Sequence, residues 1–471
     1  MTTNITIKFC FIACFLLVFV ELSLSKLTPA RDGNAKSHSQ NRNYQYECSQ
    51  FQTITQNVDH FGFVNIDTYQ ERYILNKNNW KHGKPIFFYA GNEASIDHFC
   101  EHSGFMWELG DIFHGMVVFA EHRYYGESLP YGNASFSNPE NTRYLTSDQA
   151  LADYAYLIRY IHSSITGAEN SPVVAVGGSY GGMLAAYLRM KYSHLVVGAY
   201  ASSAPLLMPK APCEAFSHAK NPKCVDIIRS SWAAINRIGS SPTGLTHLTN
   251  IFHLCHPLAT VTELKIWLIN MYTNIAIYNY PYATTFIADL PAFPARAFCA
   301  QVTSPPLGTT LTDEEIVRRI AKGTNVYFNN NDPPNFRDVA WSYQLCTEAV
   351  VGTCPNGIDD MFESRTFDLK AYSDKCYSQF GIRPRSEWIF LEYGGVNVKD
   401  FRYHTNIVFT NGNLDPWSVG GLLAQVTPSL PIIYIKGGAH HLELREANRA
   451  DPLSVRRARE KIIDLIEKWI S

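Results

Sequence analysis

Residues 173–192 read VVAVGGSYGGMLAAYLRMKY and join a short apolar run to a helical run through a turn that contains one serine. Short apolar runs bounded by turn residues are typical of buried parallel strands. Gly177, Ser179 and Gly181 fit the pattern G-x-S-x-G, in which a sharp turn between strand and helix exposes a serine hydroxyl. Side chains at the two outer positions would collide with the neighbouring strand and helix, so both positions require glycine. The sequence therefore predicts that Ser179 is a nucleophile.

The backbone amide of Tyr180 opens the helical run that follows this serine. Because N–H groups at the start of a helix attract negative charge, this amide is a predicted donor to an oxyanion. The five-residue pattern is short, and a glycine-rich turn of another kind of sheet protein is the alternative interpretation.

A serine nucleophile needs a general base and an acid that orients the base, in the chain order Ser, Asp or Glu, His for this type of turn. Asp415 lies in NIVFTNGNLDPWS just after a strand-like run, and His440 lies in IIYIKGGAHHLELR after the next one. We therefore predict that His440 takes the proton of Ser179 and that Asp415 orients the imidazole. Asp-Pro is also a common turn, and His441 is a rival base.

Composition limits the classes of partner. The chain has 471 residues, of which 46% are hydrophobic and 13% aromatic, enough for one large domain or two. Its 40 basic and 42 acidic residues nearly balance, and no long block of like charge is found. Neither nucleic acid nor an anionic membrane surface is therefore an expected partner.

The N-terminal sequence predicts export. Lys8 precedes an apolar run at 9–20, and Ser23-Leu24-Ser25 follows as a small-x-small pattern, so residues 1–25 are a predicted signal peptide. The polar residues 26–46 are a predicted leader or pro-segment. No apolar run is long enough to span a bilayer comfortably, so stable membrane insertion is not expected, with a short signal anchor as the alternative.

Strand-like runs alternate with helical patterns in both parts of the chain. The strand-like runs are 85–89, 116–120, 173–176, 196–201, 406–410 and 432–435. The helical patterns include 147–161, 264–277 and a final helix at 452–470. Since the strand pattern stops near Pro205 and resumes late, we predict an α/β sheet domain in two parts, 47–204 and 336–471. A helical insertion at 205–335 separates these parts.

Nine cysteines remain after the predicted signal peptide, and an odd number leaves at least one unpaired. No CxxC pair or histidine-rich spacing indicates zinc, so disulfides formed in an oxidising compartment are the better interpretation. No metal or other cofactor is expected.

Five segments carry a resemblance that covers nearly the whole mature chain, from about Asn57 to the C-terminus. They read FAEHRYYGESLP (119–130), LTSDQALADYA (145–155), GGSYGGMLAAYLRMKY (177–192), NGNLDPWS (411–418) and GGAHHLELR (437–445). Their combination is similar to the S28 family of serine peptidases. The resemblance implies an α/β-hydrolase fold whose helical, disulfide-containing insertion caps the active site. It also implies Ser179, Asp415 and His440 as the catalytic triad. EHRYYGES (121–128) is expected to be structural around the site.

The resemblance further implies an exopeptidase that cleaves short peptides at proline, in the lysosome or secreted. We expect it to release the C-terminal residue that follows proline. The alternatives are a dipeptidyl aminopeptidase, an inactive hydrolase-fold binding protein, and a lipase or esterase with the same triad. Peptides with proline near a chain end are the expected partners, and a homodimer is a further expectation.

The disulfide pattern of the family implies three pairs here. They are Cys213–Cys354, Cys224–Cys299 and Cys346–Cys376. The family's partner for Cys255 is missing around residues 329–335, whereas Cys48 is an addition. A compensating bridge from Cys255 to Cys48 or Cys100 is one hypothesis, although connectivity does not follow from sequence alone.

Other residues near the motifs are weaker candidates for the site. The amide of Gly91 or Asn92, after the strand at 85–89, is a candidate second oxyanion donor, with a plain sharp turn as the alternative. Glu93 is a candidate anchor for a substrate ammonium, or a carboxylate that caps a helix or pairs with a cation. Met183 and Trp417 are candidate walls of a proline pocket, with ordinary core packing as the alternative.

Overall fold

The computed structural model describes residues 46–207, 222–254, 256–304, 311–327, 336–352 and 355–471. The predicted signal peptide at 1–25 lies outside these residues, as does all but the last residue of the predicted leader. Within the described ranges, no helix combines the length and the apolar character that crossing a bilayer requires.

One twisted sheet organises the described residues and contains eight strands. They are β1 (Phe51–Asn57), β2 (Thr68–Asn76), β3 (Ile86–Ala90), β4 (Met116–Ala120), β5 (Val173–Gly178), β6 (Val196–Ser202), β7 (Ile407–Gly412) and β8 (Ile432–Ile435). The order across the sheet is β1-β2-β4-β3-β5-β6-β7-β8, and β3 to β8 run parallel. This is the α/β-hydrolase arrangement, which confirms the predicted fold class.

The six predicted strands are all present, within two residues of their predicted ends. The central strands β3, β4 and β5 are buried at every position, because helices cover both faces of a parallel sheet. Strands β1 and β2 were not predicted from the sequence. They pair antiparallel with each other, and β2 also pairs antiparallel with β4. Their buried positions alternate with exposed polar ones, so they contain no continuous apolar run.

The helices divide into those that follow individual strands and those between β6 and β7. The helices before β6 are α1 (Ile96–His102), α2 (Gly104–Phe113), α3 (Pro139–Thr142), α4 (Ser147–Ser164) and α5 (Tyr180–Lys191). Those between β6 and β7 are α6 (Pro222–Gly239), α7 (Gly244–Ile251), α8 (Val261–Ile277), α9 (Pro294–Val302), α10 (Asp313–Gly323), α11 (Phe336–Thr347), α12 (Leu369–Phe380) and α13 (Trp388–Tyr393). The chain ends with α14 (Leu453–Ile470), the predicted final helix.

Part of this helical segment packs directly on the sheet domain. The ring of Tyr393 in α13 stacks on Tyr187 in α5, with 3.7 Å between the ring centroids. Ile389 belongs to the same buried cluster as the core of β3 and β5. The division of the helical region at residue 335 stays a prediction.

Three disulfides lie within the described residues. Cys224–Cys299 joins α6 to α9, and Cys346–Cys376 joins α11 to α12, which confirms two of the implied pairs. Cys48 and Cys100 bond to each other, so the hypothesis that either one compensates for Cys255 is wrong. The implied pair of Cys213 with Cys354, and Cys255 itself, lie outside the described residues.

Candidate active site

Ser179 lies at the sharp turn between β5 and α5. Its backbone has φ 59° and ψ −126°, a conformation that L-residues with a side chain rarely adopt. The amide of Ser179 donates to the carbonyl oxygen of Ser202 in β6 at 2.9 Å, which anchors the turn to the neighbouring strand. The strain is thus maintained by tertiary structure, as is typical of functional sites.

The glycines of the turn have the steric reason predicted from the sequence. A Cβ atom at Gly177 would lie 2.0 Å from the carbonyl oxygen of Gly181. A Cβ atom at Gly181 would lie 2.8 Å from the carbonyl oxygen of Ala90 in β3. Both distances are shorter than the contacts that Cβ atoms make in proteins. The chain can therefore form this turn only with glycine at both positions.

Replacement of neighbouring glycines in β5 tests this steric argument. We expect Gly177→Ala to abolish measurable activity, because backbone atoms must move to admit the methyl group. Gly178→Ala is the matched control, since its nearest atoms belong to the side chains of Leu444, at 3.0 Å, and His441, at 3.1 Å. Activity and melting temperature of the purified variants check this, and equal losses in both variants would contradict it.

Asp415 and His440 lie in the loops after β7 and β8 and form a buried pair. Asp415 Oδ2 accepts a hydrogen bond from His440 Nδ1 at 2.8 Å, and Asp415 Oδ1 accepts from the amide of Trp417 at 2.9 Å. Asp415 is 3% exposed and His440 2% exposed. With Nδ1 donating to the carboxylate, His440 Nε2 carries the lone pair that a general base needs.

The helical segment holds the His440 loop by its backbone. Tyr280 Oη donates to the carbonyl oxygen of His440 at 2.8 Å, and the amide of His440 donates to the carbonyl oxygen of Ile277 at 3.2 Å. Among the hydrogen bonds of the described residues, the hydroxyl of Ser179 takes part in none. Hydrogen bonds between a nucleophile and its base are commonly long before substrate binds. The predicted roles of Ser179 and His440 are therefore compatible with this geometry.

His441, the rival base, has a different environment. Its Nδ1 faces Tyr280 Oη at 3.4 Å, and its ring packs edge-on against Phe286. Burial, and then the charge of neighbouring His440, lowers the pKa of His441 well below its ordinary value. No hydrogen bond joins it to Asp415 within the described chain. The geometry therefore favours His440 as the base.

The loop after β3 contacts the turn that carries Ser179. Tyr154 Oη donates to the carbonyl oxygen of Gly91 at 2.6 Å, and Asn92 is buried. A Cβ atom at Gly181 would lie 2.9 Å from Asn92 Oδ1, which shows how closely this loop approaches the turn. The loop of the predicted second oxyanion donor therefore lies beside the turn of Ser179, and the donor role stays a prediction.

The remaining predicted residues lie around the same loops. Glu93 is half-buried, and its Oε2 accepts from Asn92 Nδ2 at 2.8 Å. Met183, in the first turn of α5, is 6% exposed and belongs to the buried cluster on one face of the sheet. Trp417 is half-buried next to the Asp415 loop. Contacts of Glu93, Met183 and Trp417 with a substrate stay predictions.

A buried hydrogen-bond network surrounds the Tyr180 hydroxyl and was not predicted from the sequence. His122 Nδ1 donates to the carbonyl oxygen of Arg123 at 2.7 Å, which leaves Nε2 to accept from Tyr180 Oη at 3.2 Å. Burial lowers the pKa of His122 to about 4, so this ring is neutral. Gln344 Nε2 in α11 donates to Tyr180 Oη at 2.8 Å. The available signal was that EHRYYGES directly follows a predicted strand, which places His122 at the edge of the sheet that carries Ser179.

Glu348 extends this network and is expected to make stability depend on pH. Burial raises the pKa of Glu348 to about 7, although the amide and hydroxyl of Ser147 donate to its carboxylate. The carboxyl ionises near pH 4.5 when unfolded but near pH 7 when folded, so its stabilising contribution is present at acidic pH and is lost as pH rises through this window.

The Glu348→Gln variant isolates this contribution. Between pH 5 and pH 7.5, we expect the wild-type free energy of unfolding to fall by about 2 kcal/mol more than that of the variant. Urea unfolding at the two pH values measures this difference. Parallel pH dependence in the two proteins would exclude Glu348 as its source.

EHRYYGES has a structural role. The Glu121 carboxylate accepts hydrogen bonds from the side chain of Arg72 and from the amides of Ile96, Glu127 and Ser128. These contacts join β2, α1 and the loop after β4. Among the described side chains, no group of three or more His, Cys, Asp or Glu residues is arranged to hold a metal ion.

Comparisons with known proteins agree with this geometry. The family model described as serine carboxypeptidase S28 matches residues 56–462. The lysosomal Pro-X carboxypeptidase of Bos taurus is 46% identical over 443 residues, covering 89% of this chain and 87% of that protein. The proteins of the same name from Homo sapiens and Mus musculus are each 44% identical over 438 residues, covering 88% of this chain and 87% and 88% of those proteins. The chain therefore belongs to the serine carboxypeptidase S28 family.

Proposed function

We propose that this chain is a Pro-X carboxypeptidase, a serine exopeptidase that removes a single C-terminal residue after proline. One observation carries the proposal: the buried Asp415–His440 pair lies in the loops after β7 and β8, and Ser179 lies on the strained turn after β5. The carboxyl ends of parallel strands share one edge of a sheet, where α/β proteins place their active sites. The preference for proline rests on the names of the relatives that are 44–46% identical.

The proposed reaction is acyl transfer. Ser179 Oγ attacks the carbonyl carbon of the proline residue, and His440 Nε2 takes the hydroxyl proton while Asp415 stabilises the imidazolium. The amide of Tyr180, with that of Gly91 or Asn92, holds the oxyanion. His440 then gives its proton to the departing amine of the C-terminal residue. Water, deprotonated by His440, attacks the acyl-enzyme and releases the shortened peptide.

The helical insertion, through Tyr280 and Ile277, contacts the loop of His440 directly. A cap at this position favours short peptides and free chain ends over folded proteins. Met183 and Trp417, adjacent in sequence to the nucleophile turn and the acid, are proposed to contact the proline ring.

Digestion of two short peptides tests the proposal at about pH 5. One peptide has proline second from its C-terminus, and the other has proline second from its N-terminus. We expect loss of one C-terminal residue from the first peptide, no cleavage of the second, and no activity in Ser179→Ala. Failure of a fluorophosphonate to label the wild-type protein would exclude the enzyme function altogether.

A dipeptidyl aminopeptidase is the second candidate, and Glu93 is the observation that favours it. This half-buried carboxylate lies beside the proposed oxyanion loop, and no cation pairs with it among the described side chains. An acidic group in this position suits the N-terminal ammonium of a peptide. Release of an N-terminal dipeptide from the second peptide, lost in Glu93→Gln, would replace the carboxypeptidase proposal.

The proposed location is the lysosome or the secretory pathway, because the relatives carry the word lysosomal in their names. Cleavage after residue 25 and secretion of the mature protein are proposed with it, and N-terminal sequencing of the expressed protein tests them. A homodimer is proposed as well, and light scattering of the purified protein measures its mass.

A further inference from the structure

A cavity of about 620 Å³ lies between the helical insertion and the loop of Asp415. Helices α6, α8 and α9 form one side of it, and residues 413–419 and 436–437 form the other. Its wall is mainly apolar, with Ile228 and Phe298 among its residues. Asp415 lines this cavity whereas Ser179 and His440 do not, so the cavity adjoins the proposed triad on the side of the acid.

Two polar atoms in the wall lack hydrogen-bond partners. Tyr272 Oη and Asn279 Oδ1 are buried, and neither has a partner among the described residues. Tyr272 is 1% exposed and lines the cavity, as does Asn279. A buried polar atom without a partner is destabilising, and such atoms are rare in native proteins. Both residues line the cavity, so a molecule bound there would lie beside these two groups.

Two cations also line this cavity. Arg296 and Lys436 are exposed, and neither forms an ion pair with a described residue. Asp415 is the one carboxylate among the described residues of the wall, and it already accepts hydrogen bonds from His440 and the amide of Trp417. An occupant with an apolar body and an anionic end would match the apolar wall and the exposed cations.

We propose that this cavity is a second binding site, which takes a small amphipathic anion such as a medium-chain carboxylate. The apolar chain fills the space between α6, α8 and α9, while the carboxylate lies near Arg296 and Lys436. Cavities of this size commonly bind molecules of drug-like size. The occupant would touch the loop of Asp415 and the segment leading to His440 without contacting Ser179.

Calorimetric titration with decanoate tests the site, with decanamide as the uncharged comparison. The protein is first labelled at its active site with a fluorophosphonate, or carries Ser179→Ala if labelling fails. We expect saturable binding of one decanoate per chain and at least ~3-fold weaker binding of decanamide, because the uncharged amide loses its attraction to two cations that water partly screens. Absence of saturable decanoate binding would overturn the proposal.

Four variants locate the bound molecule. Ala276→Phe fills the cavity from α8 and Arg296→Gln removes one cation, so each is expected to weaken decanoate binding at least ~5-fold. Tyr272→Phe removes an unpaired hydroxyl that the bound carboxylate does not reach, so it is expected to fold and to keep its affinity for decanoate. Ala300→Phe, exposed on α9 outside the wall, is the matched control. Unchanged affinity in folded Ala276→Phe and Arg296→Gln would place decanoate elsewhere and overturn the assignment.

Discussion

The His440→Ala variant is expected to cleave a proline-containing peptide at least ~10⁴-fold more slowly than the wild-type protein. The reason is that His440 is the histidine whose Nδ1 donates to Asp415, at 2.8 Å. Without this imidazole, Ser179 has no general base and the leaving amine has no acid. Initial rates measured by separation of the products give kcat and KM, and the loss should appear in kcat.

The adjacent His441 provides the matched control. Its ring has no hydrogen bond to Asp415 within the described chain, and its buried contacts are with Tyr280 and Phe286. Folded His441→Gln is therefore expected to keep most of the wild-type activity. Any loss of total activity should match a loss of stability. A larger fall in kcat for folded His441→Gln than for folded His440→Ala would reverse the assignment of the base.

A double variant tests whether the proposed triad acts as a unit. Residues that act in one chemical step have non-additive effects. We expect Ser179→Ala combined with His440→Ala to be no slower than the slower single variant, within experimental error. Multiplicative losses would indicate that the two residues act independently.

The Asp153→Ala variant is expected to lose about 3–5 kcal/mol of its free energy of unfolding. Arg123 Nε donates to Asp153 Oδ2 at 2.6 Å, and Arg123 Nη2 donates to Asp153 Oδ1 at 2.7 Å. Both side chains are fully buried. Removal of the carboxylate leaves the guanidinium without its counter-charge in the protein interior. Urea unfolding at pH 7 measures the loss.

The same pair predicts how stability changes in acid. Burial opposes ionisation of Asp153, but the charge and hydrogen bonds of Arg123 outweigh it and lower the pKa of this carboxyl. A lowered folded-state pKa means that the stabilisation is present above the unfolded value of about 3.9 and is lost as pH falls through the folded value. We expect stability to fall more steeply in wild type than in Asp153→Ala below about pH 4.

An exposed ion pair supplies the control for the predicted loss of unfolding free energy in Asp153→Ala. Arg143 and Glu140 are 2.8 Å apart, but their side chains are 57% and 72% exposed, so water screens their attraction. Arg143→Ala should therefore leave the unfolding midpoint unchanged within error. A similar loss in the Arg143 and Asp153 variants would show that burial does not set the strength of these pairs.

Most of the sheet could be predicted from sequence because its central strands are short apolar runs bounded by turn residues. This pattern identified β3 to β8, whose order along the chain follows the βαβ alternation. The outer strands β1 and β2 lack the pattern, since one face of each is exposed. The pairing of β2 with β4 depends on residues far along the chain, which no local signal identifies.

The catalytic candidates of the site could also be predicted from local sequence patterns. Local sterics around Ser179 are encoded in adjacent residues, because Gly177 and Gly181 admit a turn that a larger residue would block. The motif could therefore be recognised without a structure. The positions of Asp415 and His440 after successive strand-like runs were likewise visible, since parallel strands end at one edge of the sheet.

The strand and helix alternation, the turn at Ser179 and the candidate acid and base thus follow from local residue patterns. The distant groups that support them follow from the three-dimensional packing of the chain. Gln344 reaches Tyr180 across 164 positions, and Tyr280 reaches His440 across 160. These contacts depend on how the helical segment packs against the sheet. Hydrophobic patterning specifies that such a segment buries one face, but the partner atoms are selected by the three-dimensional fit.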